Sequence, residues 1–400
     1  MITTAEAMHA ILASVRKTAR APIPLAQATG RVLQQDVVAE RDQPPFDRVM
    51  MDGIAISYAA FAAGQRQFAI QATQAAGDVV LTLEPGHAIE IMTGATLPDG
   101  ADCIVPVERI SVRAGTATIA PDYDARAHQF IHPRASDHEK GSLLLQPGTR
   151  IGPMEVAIIA SAGLAEVEVA VQPSISVIST GNELVAAGQP IDAHQVRQSN
   201  GPAVIAMLEE HGYANAHLDH LADDLDVLRT HLRRHLEQSD ILVLSGGVSM
   251  GKADFIPQVL EELGVQLVFH KISQRPGKPM WFGIGPAAQA VFALPGNPVS
   301  TIVCCRQYVL PALRHMNGMR PLMPQFAALT QDVNFAPRLT SFLPVKLLSN
   351  AAGQTLAMPV QTNTSGDFTA LGGTDGYVEL ALEQSTFKAG AVVPLHRWRM

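Results

Sequence analysis

The chain has 400 residues, 47% of them apolar and 16% charged, with a formal net charge of −8. That composition excludes a disordered chain, an acidic balance without a long basic run excludes an ordinary nucleic-acid partner, and the length exceeds one core, so two to four domains are expected. Cys103, Cys304 and Cys305 can build neither a disulfide framework nor a CxxC metal pair, no basic n-region precedes an apolar run, and stretches such as "AVFAL" are too short for a bilayer, so a cytoplasmic protein without a membrane role is expected.

Residues 3–19 predict a helix with Thr3 or Thr4 as N-cap and Glu6 in its first turn. From about 22 to 150, short β-type runs are broken by "QPPFD", "AAGD", "EPGH", "LPDG" and "QPGT", with helical character only near "SYAAFAA". Residues 152–165 predict a helix with Pro153 at its first position and Gly163 near its end. From Pro173 onward strands alternate with helices: "SISVIST", "NGPAVIAMLEEHG", "AHLDHLA", "DLDVLRTHLRRHLEQ", "DILVLSGG", "ADFIPQVLEELG", "VQLVFHKI", "MWFGIG" and "AVFALPG", then a helix from Pro298 to about His315. This order predicts a parallel, doubly wound α/β domain over 173–318. Residues 319–400 read as short β runs, a small barrel or sandwich.

Open α/β sheets bind ligands beyond the carboxyl ends of their strands. Four loops there carry the chemistry: Thr180-Gly181-Asn182-Glu183; Asp223 and Asp224; Ser245-Gly246-Gly247 running on to Ser249, Gly251 and Asp254; and Pro295-Gly296-Asn297-Pro298. Gly246, Gly247 and Gly251 let backbone N–H groups approach an anion, and Pro298 suits a second helix start facing one. Glu183, Asp223 or Asp224, and Asp254 would repel a bare phosphate, so Mg²⁺ among them is expected. Lys271, Arg275 and Lys278 in "KISQRPGKP" add charge for an oxyanion or a phosphorylated ligand.

The spacing Gly246, Gly251, Lys252 matches a phosphate-binding ATPase loop, but Ala253 stands where a metal-binding hydroxyl belongs, which makes an ATPase the least favoured reading. His231 and His235 lack the glutamate of a zinc-protease helix and are expected on an exposed polar face. His217 and His220 fall on opposite faces of a strand. Cys304 and Cys305 are expected in the core, and Ser249 has no histidine partner for a hydrolase triad.

Taken together, "SGGVSMGKADF", "STGNEL", "RPGKP" and "LPGNPVS", preceded by "FDRVMMDGIA", "IMTGATLPDGADCIVPVE" and "SDHEKGSLLLQPGTRIGP", resemble the molybdopterin molybdenumtransferase family, the MoeA type that includes the E domain of gephyrin. The resemblance spans nearly the whole chain. It implies a multidomain α/β plus β fold. A linker domain would take 1–24 with 135–172, a strand-rich inserted domain 25–134, a MoaB/MogA-like doubly wound domain 173–318 and a C-terminal β-barrel 319–400. It further implies a homodimer with the active site at the interface, molybdopterin adenylyltransferase as upstream partner, and insertion of molybdate into adenylylated molybdopterin with release of AMP, assisted by Mg²⁺. Asp52, Thr93, Asp137, Glu183, Asp254, Lys271 and Arg275 would take the catalytic positions. Ser245, Gly246, Gly247, Ser249, Gly251, Lys278, Pro295, Gly296, Asn297 and Pro298 would bind the pterin phosphate, with Arg338 and Ser365 reaching in from the C-terminal domain. Glu183, Asp223, Asp224 and Asp254 are the candidate metal ligands.

The chain departs from the family pattern at Ile54 (an aromatic there), His132 (arginine), Ala135 (glycine), Asn182 and Gln198 (aspartate at both). These departures motivate an alternative, a non-catalytic paralogue that holds molybdopterin or scaffolds a partner.

Overall fold

The computed structural model describes residues 1–247, 255–361, 364 and 366–399. The chain divides into two compact units, one of residues 1–34, 147–152 and 167–400, the other of residues 35–146 and 153–166.

In the first unit a six-stranded sheet runs in the order Ala216–Leu221, Ile175–Thr180, Ile241–Ser245, Ala290–Leu294, Trp281–Ile284, Gln266–His270. The first four strands are parallel in register. Alternate residues fill opposite faces, as the period of two requires. Ile175, Val177, Ile241 and Val243 join a core with Val204 and Leu208, whereas Ile178, Leu242 and Leu244 join one with Leu228, Leu232 and Leu236. Helices therefore cover both faces, the doubly wound arrangement that the alternation predicts. One strand breaks the expected parallel order. Trp281–Ile284 pairs antiparallel with both neighbours, because the segment joining it to Ala290–Leu294 is far too short for a crossover.

The N-terminal helix covers Thr4–Ser14, shorter than expected, and Thr3 and Glu6 form a capping box. The expected last helix begins at Pro298 but contains a π-turn, Cys305–Val309, before resuming over Leu310–Met316. Pro311 has no N–H and its ring crowds the carbonyl one turn back, so the wider turn relieves the conflict. Cys304 and Cys305 are fully buried, as expected, and burial holds both thiols protonated; that of Cys305 is pushed up to about 12.

The C-terminal strands close on themselves. Thr340–Ser349 pairs with Thr355–Pro359, which pairs with Gln325–Leu329, then Val392–Arg397, then Gly376–Leu380 and back to Thr340–Ser349. This is a five-stranded barrel rather than a sandwich, around Leu329, Val345, Val378 and Leu395. Gln274–Arg275 adds to its edge against Thr340 and Ser341.

The second unit holds a six-stranded sheet, ordered Cys103–Pro106, Gly53–Ile56, His87–Ile91, Gln67–Gln74, Thr116–Ile119, Ile110–Arg113. Its core gathers Ile54, Ile56, Phe61, Phe68 and Val105. The helices Tyr58–Ala62 and Pro153–Ser161 belong to it. Ile54 is fully buried, so a side chain at that position packs the core and offers no stacking surface. Among the described residues no helix is long and apolar enough to cross a membrane.

Candidate functional site

In the first unit the expected loops converge on the carboxyl edge of the sheet. Strand Ile175–Thr180 ends at Gly181, whose φ is +146° and whose Cα is covered by the Glu183 carboxylate. A Cβ there would lie 2.6 Å from Glu183 Oε2, so only glycine lets that side chain fold back. Strand Ile241–Ser245 ends at Gly246, φ +104°, against the Thr180 carbonyl; a Cβ would meet that oxygen at 2.7 Å. Gly296 meets the Gly246 backbone from the Pro295–Pro298 loop. Asn200 joins the Ser245 and Gly296 loops, donating from Nδ2 to Ser245 Oγ at 2.9 Å and to the Gly296 carbonyl at 2.7 Å.

The loop of Asp223 and Asp224 is tied to that of Gly181 and Asn182 through backbone and side chain. Asn182 Oδ1 accepts from the Asp223 N–H at 3.1 Å, and His220 Nε2 donates to the Gly181 carbonyl at 2.9 Å. A carboxylate at 182 would make the same bond, so the departure there removes charge without removing the contact. Asp223 and Asp224 separate in role. Asp224 is the N-cap of helix Leu225–Gln238, and its Oδ1 accepts from the N–H groups of Asp226 and Val227, both at 3.0 Å. Its carboxylate is occupied by the helix start.

Around these loops lies a cavity of about 360 Å³, lined by Ser179, Glu183, Gln198, Asn200, Ser245 and Phe368 among others. Ser179 Oγ, Thr180 Oγ1, Gln198 Nε2 and Asn200 Oδ1 are buried without a hydrogen-bond partner among the described residues. Buried polar groups are ordinarily paired. Their gathering at one strand edge marks the place where a polar ligand or ordered water belongs.

Lys271 follows Gln266–His270, whose carboxyl end points to the same edge, and has φ +72°. Arg275 and Lys278 are exposed. The Arg275 segment runs beside Thr340–Ser341, which brings it near exposed Arg338. Pro295 is buried, Asn297 is the N-cap of Pro298–Cys304, and Pro298 begins that helix. Ser249, Gly251, Asp254 and Ser365 lie outside the described residues, as do Lys252 and Ala253 of the ATPase-like spacing.

The second unit holds the other three expected residues. Asp52 Oδ1 accepts from the Thr93 N–H at 2.6 Å and the Thr93 hydroxyl at 2.7 Å, and these bonds hold the Asp52 carboxyl below the usual carboxylate range. Asp137 accepts from His132 Nε2 at 3.0 Å. Its loop is anchored by backbone bonds from Ala135 to Pro44 and from Asp137 to Gln43.

One expectation about the histidines needs correcting, and several contributors escaped sequence reasoning. His235 is not on an exposed polar face. It bonds Asp219 Oδ2 at 2.9 Å and Ser176 Oγ at 2.9 Å in a half-buried network. Burial raises the Asp219 carboxyl, but the bonds from His235 and from the His220 N–H outweigh it and leave it below the usual range. Asn200, Ser179 and Phe368 were not singled out; Asn200 could have been noticed as a polar residue opening a helix directly after a strand-end loop.

Three family models match in sequence: the MoeA N-terminal region (domain I and II) over residues 2–163, a probable molybdopterin binding domain over 176–315, and the MoeA C-terminal region (domain IV) over 327–398. A molybdopterin molybdenumtransferase of Synechocystis sp. is 37% identical over 400 residues, covering 100% of both chains. One of Staphylococcus aureus is 31% identical, covering 98% of this chain and 95% of its own. The crystal structure of a molybdopterin biosynthesis MoeA protein from Pyrococcus horikoshii superposes with a TM-score of 0.82 at 28% identity, covering 100% of both chains.

Proposed function

The chain belongs to the MoeA family of molybdopterin molybdenumtransferases, and from that membership we propose that it inserts molybdate into adenylylated molybdopterin with release of AMP. The observation that carries the reading is the cluster of unpartnered buried polar atoms on Ser179, Thr180, Gln198 and Asn200 beside Glu183, Ser245 and the Gly246 backbone. In this reading the backbone of Gly246 and Gly247 receives the pterin phosphate, and Lys271, Arg275, Lys278 and Arg338 hold the oxyanions. Asp52 and Asp137 orient groups at the reacting centre, Asp52 remaining ionised because Thr93 supplies two donors.

Among the described residues no three His, Cys, Asp or Glu side chains form a metal cluster. Mg²⁺ needs only one or two carboxylates beside substrate phosphates, so Glu183 and Asp223 would supply enough oxygen donors from the described residues. The ion would neutralise the pyrophosphate that is cleaved. The proposal includes a homodimer of four-part subunits and supply of substrate by molybdopterin adenylyltransferase. Nothing among the relatives favours the non-catalytic alternative.

Incubation of the purified protein with adenylyl-molybdopterin, molybdate and Mg²⁺ should release AMP, and Glu183→Gln should lower that rate by on the order of a hundredfold without altering the fold. Tight binding of adenylyl-molybdopterin with no AMP release would instead identify a carrier.

A further inference from the structure

Asp137 is a functional position only on the reading just proposed, and this inference rests on that reading. His132 stands between two charged side chains. Its Nδ1 is 3.1 Å from Arg48 Nη2, and its Nε2 is 3.0 Å from Asp137 Oδ1. A guanidinium has donors and no acceptor, so Nδ1 must accept from Arg48. The ring is then neutral, carries its proton on Nε2, and donates that proton's hydrogen bond to Asp137. A doubly protonated ring would set two N–H donors against each other on the Arg48 side.

Backbone pairing fixes the arrangement. Ile131–His132 lies antiparallel to Arg48–Val49 with His132 directly opposite Arg48, and the Asp137 N–H donates to the Gln43 carbonyl at 2.9 Å. The His132 side chain is 25% exposed and Asp137 46%, so the imidazole is the sheltered member. We propose that Arg48 and His132 act as a positioning pair for Asp137. The positive charge of Arg48 sits one side chain behind the imidazole, which relays its pull. Polarisation along the chain strengthens the Nε2–H donor beyond that of an isolated neutral ring. Asp137 Oδ1 is thereby pinned, which orients Oδ2 toward whatever the carboxylate serves.

Because Asp137 is half exposed, the pair adds little to folding stability, and loss of the relay should appear in turnover rather than in melting. Arg48→Met and His132→Leu should each lower kcat for AMP release by about five- to tenfold with KM little changed. His132→Gln should stay within about twofold of wild type, since an amide can accept from Arg48 and donate to Asp137 at once. Thermal melting should be the same in all three. An equal loss in His132→Gln and His132→Leu, or full turnover in Arg48→Met, overturns the proposal. Histidine ¹⁵N NMR of the full chain, with His132 assigned by the glutamine variant, decides the relay without reference to turnover: protonation on Nε2 alone is required, and a cationic or Nδ1-protonated ring contradicts it. Full activity in Asp137→Ala would overturn the catalytic reading of Asp137 while leaving that NMR result standing on its own.

Discussion

Replacing Asp223 and Asp224 one at a time separates two adjacent carboxylates by the quantity each controls. Asp224 accepts two N–H bonds at the start of Leu225–Gln238, so Asp224→Ala should cost about 1 kcal/mol of stability. For a unit of this size that lowers Tm by roughly 2–4 °C. Asp224→Asn keeps the acceptor and forfeits only the charge against the helix start, roughly 0.3–1 kcal/mol. Neither change touches the ligand cavity, so kcat should remain within about twofold of wild type in both. Asp223→Asn should instead raise the Mg²⁺ concentration for half-maximal AMP release on the order of tenfold. Calorimetry and a Mg²⁺ titration of AMP release measure both quantities on the same preparations. If Asp224→Asn weakened Mg²⁺ dependence as much as Asp223→Asn, the capping role would not be its main one and the assignment would fail.

Gly181→Ala would place a Cβ 2.6 Å from Glu183 Oε2, so the carboxylate must swing away and turnover should fall as far as in Glu183→Gln; wild-type turnover would refute the packing argument. Thr93→Val keeps the N–H to Asp52 and removes the hydroxyl. Asp52 is a depressed carboxyl, whose contribution is present above the usual carboxylate range and lost as pH falls through its lowered value. Its titration should therefore move upward in Thr93→Val, read by ¹³C NMR of the carboxyl, and an unmoved curve would rule out the hydroxyl as a cause. Ala135 has φ +61°. Glycine there relieves about 1–2 kcal/mol of left-handed strain against about 0.4–1 kcal/mol of added chain entropy, so Ala135→Gly should melt slightly higher, and a lower Tm would contradict the account.

Much of the α/β half was legible because its central strands are buried on both faces and its helices carry a clear 3.6 period. Helix Leu225–Gln238 lies where the pattern places it, with Leu228, Leu232 and Leu236 one turn apart on its buried face, whereas the capping role of Asp224, expected as a metal ligand, emerged only from the structure. What stayed hidden depends on neighbours distant in sequence. The direction of Trp281–Ile284 follows from the reach of a short connection, and the π-turn from a conflict at Pro311 that periodicity does not register. Glycines and carboxylates of the candidate site announced themselves through loop chemistry. Asn200 did not, because its importance is to join Ser245 to Gly296, residues far apart in the chain. The departures from the family pattern are similar. Asn182 keeps its bond to Asp223, Ile54 fills a core, and His132 takes its meaning from Arg48 across a strand pair.

A single turnover measures the central claim most directly. Protein in excess over adenylyl-molybdopterin, given molybdate and Mg²⁺, should release AMP and yield molybdenum-bearing cofactor in a one-to-one ratio, both abolished together by Asp254→Ala and slowed together, on the order of a hundredfold, by Glu183→Gln. AMP released without molybdenum incorporation, or neither product despite bound substrate, would contradict the account.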